Sequence, residues 1–156
     1  MTLTDFKIAE IEIIYNPIIK PSQRPKICSS KDAFELLKAQ WDINKLHYIE
    51  EFKVMLLNRS NKVLGISKIS QGGISGTVVD PKVVMGLALK AAASGIILAH
   101  NHPSGNLSPS EADKKITQKL YDAGQLLEIP VLDHIILAGE DYTSFSDSCL
   151  LNRSPY

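Results

Sequence analysis

One α/β domain is predicted by three features of the chain. Strand-like and helix-like segments alternate, no segment repeats, and 156 residues suffice to bury a core without disulfide staples. Hydrophobic residues make up 44% and charged residues 22%, ordinary globular usage that argues against disorder or a fibrous repeat. Seventeen basic and seventeen acidic side chains cancel, so tight nucleic-acid binding is not expected. Lys20, Arg24 and Lys26 read as a solvated, proline-rich connection. No apolar run approaches the roughly 18 to 20 residues that cross a bilayer, and the N-terminus lacks a basic start before an apolar stretch. A cytoplasmic protein with no membrane association is expected. Cys28 and Cys149 lie far apart and outside any Cys-x-x-Cys pair, which leaves both as bystanders.

Along the chain, alternation from Lys7 to Tyr15 predicts a strand, and Pro17, Pro21 and Pro25 predict a loop. Ser29 or Ser30 can cap a helix reaching about Ile43, with Phe34, Leu37 and Trp41 on its buried face. Glu50 to Asn58 and Lys62 to Ser70 read as a hairpin turning at Arg59-Ser60-Asn61. Gly72, Gly73 and Gly76 are not spaced as a phosphate-binding loop, so they read as turn or bulge positions before a short strand, Thr77 to Val79. Asp80-Pro81 opens a helix that stops near Gly95, and Ile96 to Ala99 is a buried strand leading into a loop, Asn101 to Leu107. Ser108 and Glu111 fit a capping box, with Pro109 as first residue of a helix running to about Leu127. Val131 to Leu137 and Tyr142 to Phe145 are the last strands.

Chemistry concentrates in the loop before that helix. His100, His102 and Asp113 place three good zinc ligands within fourteen positions. Two histidines two apart at the end of an extended run emerge on one side, where they can meet a single ion. Two imidazoles and a carboxylate leave a tetrahedral zinc one position for water, the pattern of a catalytic site. Ser110, three residues before Asp113, is placed to donate to a developing oxyanion. Glu111 has an adequate role in the helix cap and is assigned no chemistry.

The pattern His-x-His, seven residues, Ser-x-x-Asp resembles the JAMM motif of the JAB/MPN metalloprotease superfamily, complete at all four positions. More narrowly, Gly76-Thr77, Asp80-Pro81, the run Ile97 to Gly105 (Ile-Leu-Ala-His-Asn-His-Pro-Ser-Gly) and Leu132-Asp133-His134-Ile135-Ile136 look like the RadC family over about Glu50 to Leu150. The resemblance implies a cytidine-deaminase-like JAB/MPN fold, a mixed sheet flanked by helices, over residues 46–156. It also implies zinc on His100, His102 and Asp113, and an upstream glutamate acting through the bound water. Longer RadC relatives carry an N-terminal helix-hairpin-helix region. Residues 1–45 read instead as an extension of strand, proline-rich loop and helix.

The glutamate is to be chosen from Glu50 and Glu51. In a strand starting here Glu50 points with Phe52, Val54 and Leu56, and Glu51 with Lys53, Met55 and Leu57. The core-facing row and the family's Glu-x-Phe pattern favour Glu50, with Glu51 the runner-up. His134, among isoleucines, reads as a core residue that can line the site or orient a ligand, and His47 as surface. The chain lacks the Pro-Cys-x-x-Cys of nucleoside deaminases, the Gly-x-Ser-x-Gly of serine hydrolases and the ββα signals of an HNH nuclease. The expectation is a zinc metallopeptidase or isopeptidase acting on a peptide or protein, with Glu50 as base and Ser110 as oxyanion donor. The alternatives are a DNA-repair accessory module and a zinc-binding interaction domain without turnover.

Overall fold

Five strands line up in the order β2-β1-β3-β4-β5, where β1 is Glu51–Leu57, β2 Val63–Gln71, β3 Gly95–Asn101, β4 Val131–Ala138 and β5 Asp141–Ser144. The computed structural model describes residues 2–5, 7–12, 16–73 and 77–151. All neighbouring strands are antiparallel except β3 and β4. That parallel pair needs a long crossover, supplied by helix α4, Glu111–Leu126. Every residue of the central strand β3 is buried, as its unbroken apolar run requires.

The pleat divides the sheet into two cores. Phe52, Val54, Leu56, Ile96, Leu98 and Ile136 pack against α4 and against α3, Pro81–Lys90. The alternate positions Met55, Leu57, Ile97, Ala99, Ile135 and Leu137 meet Ala33, Phe34 and Leu37 of α1, Ser30–Ala39, together with Trp41. The result is one α/β domain with helices on both faces of a mixed sheet, as the sequence predicts. Phe34, Leu37 and Trp41 are all buried.

Several boundaries differ from expectation. Residues 7–12 are exposed and irregular, with Ile8 and Ile11 facing solvent, while Ile13, Ile14 and Tyr15 lie outside the described residues. Alternation alone makes no strand without a ladder partner, and none pairs with 7–12 among the described residues. Thr77 to Val79 also forms no strand; Thr77 instead donates its hydroxyl to Ser70 Oγ at 2.9 Å, and Gly76 lies outside the described residues. The first helix ends at Ala39. Asp42 then caps a separate turn, α2, Ile43–Leu46, by accepting from the Asn44 N–H. Helix α3 stops at Lys90, five residues before Gly95, because Ala92 adopts a left-handed conformation, φ 51°, and the Ala93 N–H bonds back to Ala88. Helix α4 begins at Glu111, capped by Ser110, not by Ser108.

At its far end α4 turns sharply into β4. The Ile129 N–H bonds to Gly124 O, and Glu128 takes the left-handed conformation, φ 56°. A Cβ on Gly124 would sit 2.4 Å from the Ile129 carbonyl oxygen, a backbone atom held by that turn. Gly124→Ala is therefore expected to destabilise the fold by about 1–3 kcal/mol, even though alanine regains up to about 1 kcal/mol of helix propensity. A denaturant midpoint equal to or above wild type contradicts this account of the turn.

Candidate metal centre

The site forms where β3 ends beside the first turn of α4. Ile96, Leu98 and His100 share the face that α4 covers, so the pleat carries His100 toward the helix. The His102 N–H bonds to Leu137 O at 2.8 Å, extending the β3–β4 ladder one step past the assigned strand and keeping His102 on the His100 side. The strand thus continues through Asn101, a position expected to open the loop. Asp113 arrives from the other side as the third helical residue. Its N–H bonds to Ser110 Oγ and its carboxylate accepts the Ser110 N–H, a reciprocal capping box.

These elements bring together the three predicted ligands. One ligand atom from each of His100, His102 and Asp113 lies within 4.8 Å of the others. His100 Nε2 and His102 Nε2 are 2.9 Å apart, and each is 3.3 Å from an Asp113 carboxylate oxygen. Zinc bonds of about 2.0–2.1 Å in tetrahedral geometry separate neighbouring ligand atoms by roughly 3.3 Å. The spacing and the nitrogen–nitrogen–oxygen donor set both fit such an ion. His102 Nδ1 lies 2.6 Å from the Asn106 carbonyl, which only accepts, so Nδ1 carries the hydrogen and Nε2 is the nitrogen available to a metal.

Burial works against the Asp113 charge, but hydrogen bonds from His100 and His102 outweigh it and hold the carboxyl well below its usual range. The hydrogen bond to Asp113 raises the His102 imidazole above its ordinary value. Glu50 is half-buried, and that burial pushes its carboxyl up against the opposing pull of His100 and His102. Glu50 lines an open cleft of about 320 Å³ with His102, Pro103, Asn106 and Ser110. Ser110 Oγ accepts in the helix cap, which leaves its hydroxyl hydrogen uncommitted to that bond.

Glu51, the alternative to Glu50, points away from the cleft. It is buried among Lys45, Lys53 and Lys68, with nitrogen–oxygen distances of 3.8, 3.7 and 3.5 Å. The strand-face argument thus separates the two, although the assigned strand begins at Glu51 and Glu50 sits just before it.

Three further residues support the centre and were not singled out from sequence. Asn101, fully buried, donates its amide to the Leu46 and Ile49 carbonyls and accepts the Glu51 N–H. Thr117 donates its hydroxyl to Asp113 O and lies 2.6 Å from His134 Nδ1. Asn106 holds His102 through its backbone. Of these only Thr117 left a local trace, four residues after Asp113 on the same helix face. His134 is fully buried and adjoins His100, with Nε2 2.7 Å from His100 Nδ1. Burial and the neighbouring His100 keep its imidazole well below the ordinary value. Phe145 stacks on the His134 ring at 4.7 Å and Phe52 meets it edge-on at 5.6 Å. Asp133 faces the opposite way, accepting from the Ser144 hydroxyl and the Ser146 N–H, and so ties β4 to the following segment. His47 is exposed, and so are both cysteines, which are unpaired.

The comparisons with known proteins agree with this architecture. The UPF0758 protein of Flavobacterium johnsoniae is 51% identical over 122 residues, covering 78% of this chain and 52% of its own length. That of Symbiobacterium thermophilum is 39% identical over 132 residues, covering 84% and 55%. The UPF0758 protein YfjY of Escherichia coli is 46% identical over 102 residues, covering 65% and 64%. The chain spans about half the length of most of the curated relatives it matches. The RadC-like JAB domain matches residues 27–150, from the first residue of the second core through all five strands, and the protein belongs to that family.

Proposed function

We propose that this chain is a zinc-dependent hydrolase that cleaves an amide bond in a peptide or protein, as a peptidase or isopeptidase. The observation that carries the reading is the convergence of His100, His102 and Asp113 at a cleft that also holds Glu50 and Ser110. His100 and His102 would hold the ion through Nε2 and Asp113 through a carboxylate oxygen. Bound zinc supplies a Lewis acid that brings the pKa of water to about 7. Glu50 accepts a proton from the attacking water as its oxygen bonds to the amide carbon. The Ser110 hydroxyl donates to the carbonyl oxygen as that atom gains charge. As the carbon–nitrogen bond breaks, Glu50 returns the proton to the departing amine. The raised Glu50 carboxyl suits both halves of this transfer.

The balanced charge of the chain supports a peptide substrate over a nucleic-acid role, because it removes the counterion-release drive for duplex binding. Among the described residues no helix is long and apolar enough to cross a membrane. With its unpaired cysteines, this supports a cytoplasmic setting.

Two tests follow. The purified protein is expected to take up about one zinc per chain, with affinity falling sharply in His100→Ala, His102→Ala and Asp113→Ala. Elemental analysis and competition titration measure both, and a wild type that stays metal-free in zinc at neutral pH refutes the site. Glu50→Gln is expected to keep its fold and zinc while losing about two to four orders of magnitude in hydrolysis, scored against peptide and isopeptide libraries. Full activity in Glu50→Gln excludes it as the base. Glu51→Gln should act differently, lowering thermal stability by leaving three lysines around a neutral group.

A further inference from the structure

We infer that Thr117 and His134 are positioning residues that fix which nitrogen of His100 faces the metal centre. The argument starts from one acceptor. The Asp113 carbonyl oxygen cannot donate, so the 2.6 Å contact with Thr117 Oγ1 takes the only hydrogen of that hydroxyl. Thr117 Oγ1 is then an acceptor toward His134 Nδ1, also 2.6 Å away, and the hydrogen between them belongs to His134. His134 is fully buried and its two ring nitrogens meet the Thr117 hydroxyl and His100, with no carboxylate among the described residues at either to compensate a charge. The ring is thus neutral and, with its hydrogen on Nδ1, presents a bare Nε2. That nitrogen lies 2.7 Å from His100 Nδ1, which must donate to it. His100 therefore carries its hydrogen on Nδ1, which leaves Nε2, the nitrogen that faces Asp113 and His102, as the one able to give its lone pair to a metal.

The relay closes on the helix that supplies a ligand: Asp113 and Thr117 stand one turn apart on α4, and the Thr117 hydroxyl is anchored on Asp113's own carbonyl. All three side-chain groups of the relay are buried, so water does not compete for them. Phe52 and Phe145 hold the His134 ring in place. His102 needs no such chain, because the Asn106 carbonyl fixes its tautomer directly. Partners of this kind typically change metal affinity by about 10- to 100-fold when removed.

The inference rests on the zinc reading for its purpose but not for its test. Long-range proton–nitrogen NMR spectra of the metal-free protein should show His134 as the neutral tautomer protonated at Nδ1. Thr117→Val, nearly isosteric, should disturb that tautomer and weaken zinc binding by about 10- to 100-fold. Thr117→Ser, which keeps the hydroxyl, should restore both. His134 protonated at Nε2 in the wild type overturns the relay, as does wild-type zinc affinity in a folded Thr117→Val. A wild type that shows the expected tautomer, lost in Thr117→Val and regained in Thr117→Ser, yet binds no zinc upholds the relay and refutes the metal reading alone.

Discussion

The last two residues of β3 hold the whole site, because the pleat sends them to opposite faces of the sheet. His100 turns toward α4, and Asn101 turns toward the segment that precedes β1. The Asn101 amide satisfies the carbonyls of Leu46 and Ile49 and the N–H of Glu51, three backbone groups that flank Glu50 on both sides. A buried amide left without partners costs about 1–3 kcal/mol per lost bond, so this clamp is strongly specified. It joins two parts of the chain fifty residues apart. The position of Glu50 relative to the histidines is thus set by strand register and one side chain, with no direct contact between the glutamate and its neighbours required.

Asp113 serves the helix and the centre at once. One carboxylate oxygen closes the capping box on the Ser110 N–H while both face the imidazoles. The helix N-terminus favours the negative charge of the Asp113 carboxylate. This double duty also explains the shifted helix start. Ser108-x-x-Glu111 and Ser110-x-x-Asp113 both fit a capping pattern, and the sequence alone does not choose between them. A cap at Ser108 would move Asp113 two residues further along the helix, roughly 200° around its axis relative to the third position. Only the later cap puts Asp113, in place of Glu111, in the third helical position, where it meets His100 and His102.

Local pattern made the site legible where chemistry and periodicity coincide. The close spacing of His100 and His102, the apolar run before them and the two faces of β1 are short-range features. They suffice to name the three side chains that the fold brings together and to put Glu50 and Glu51 on different faces. The fold class was readable for the same reason, since buried strands and capped helices alternate. What stayed hidden depends on partners distant in sequence. The isoleucines of residues 7–12 carry a strand pattern that no sheet edge takes up among the described residues. Asn101 looks like an ordinary loop residue until β3 is seen to pair with β1. Thr117 shows no role until the β3–α4–β4 crossover sets it against His134, a residue that the sequence already marks as able to orient a ligand.

The adjacent glutamates show how a fold assigns different work to one residue type. Glu51 is surrounded by three lysine ammonium groups on the buried face of the strand end, a pairing that compensates part of its desolvation. Glu50 has the His100 and His102 imidazoles as neighbours, the Asp113 charge nearby, and a cleft in front of it. An ammonium beside Glu50 would hold its carboxylate ionised and hydrogen-bonded, poorly suited to passing a proton back and forth. Keeping the lysines on the other side of the pleat leaves Glu50 half-desolvated and easier to protonate. A one-residue slip of β1 against β3 would exchange these environments, putting Glu51 at the cleft and Glu50 among the lysines. The register that pairs Phe52 with His100 is therefore as much a condition of the arrangement as the converging side chains themselves.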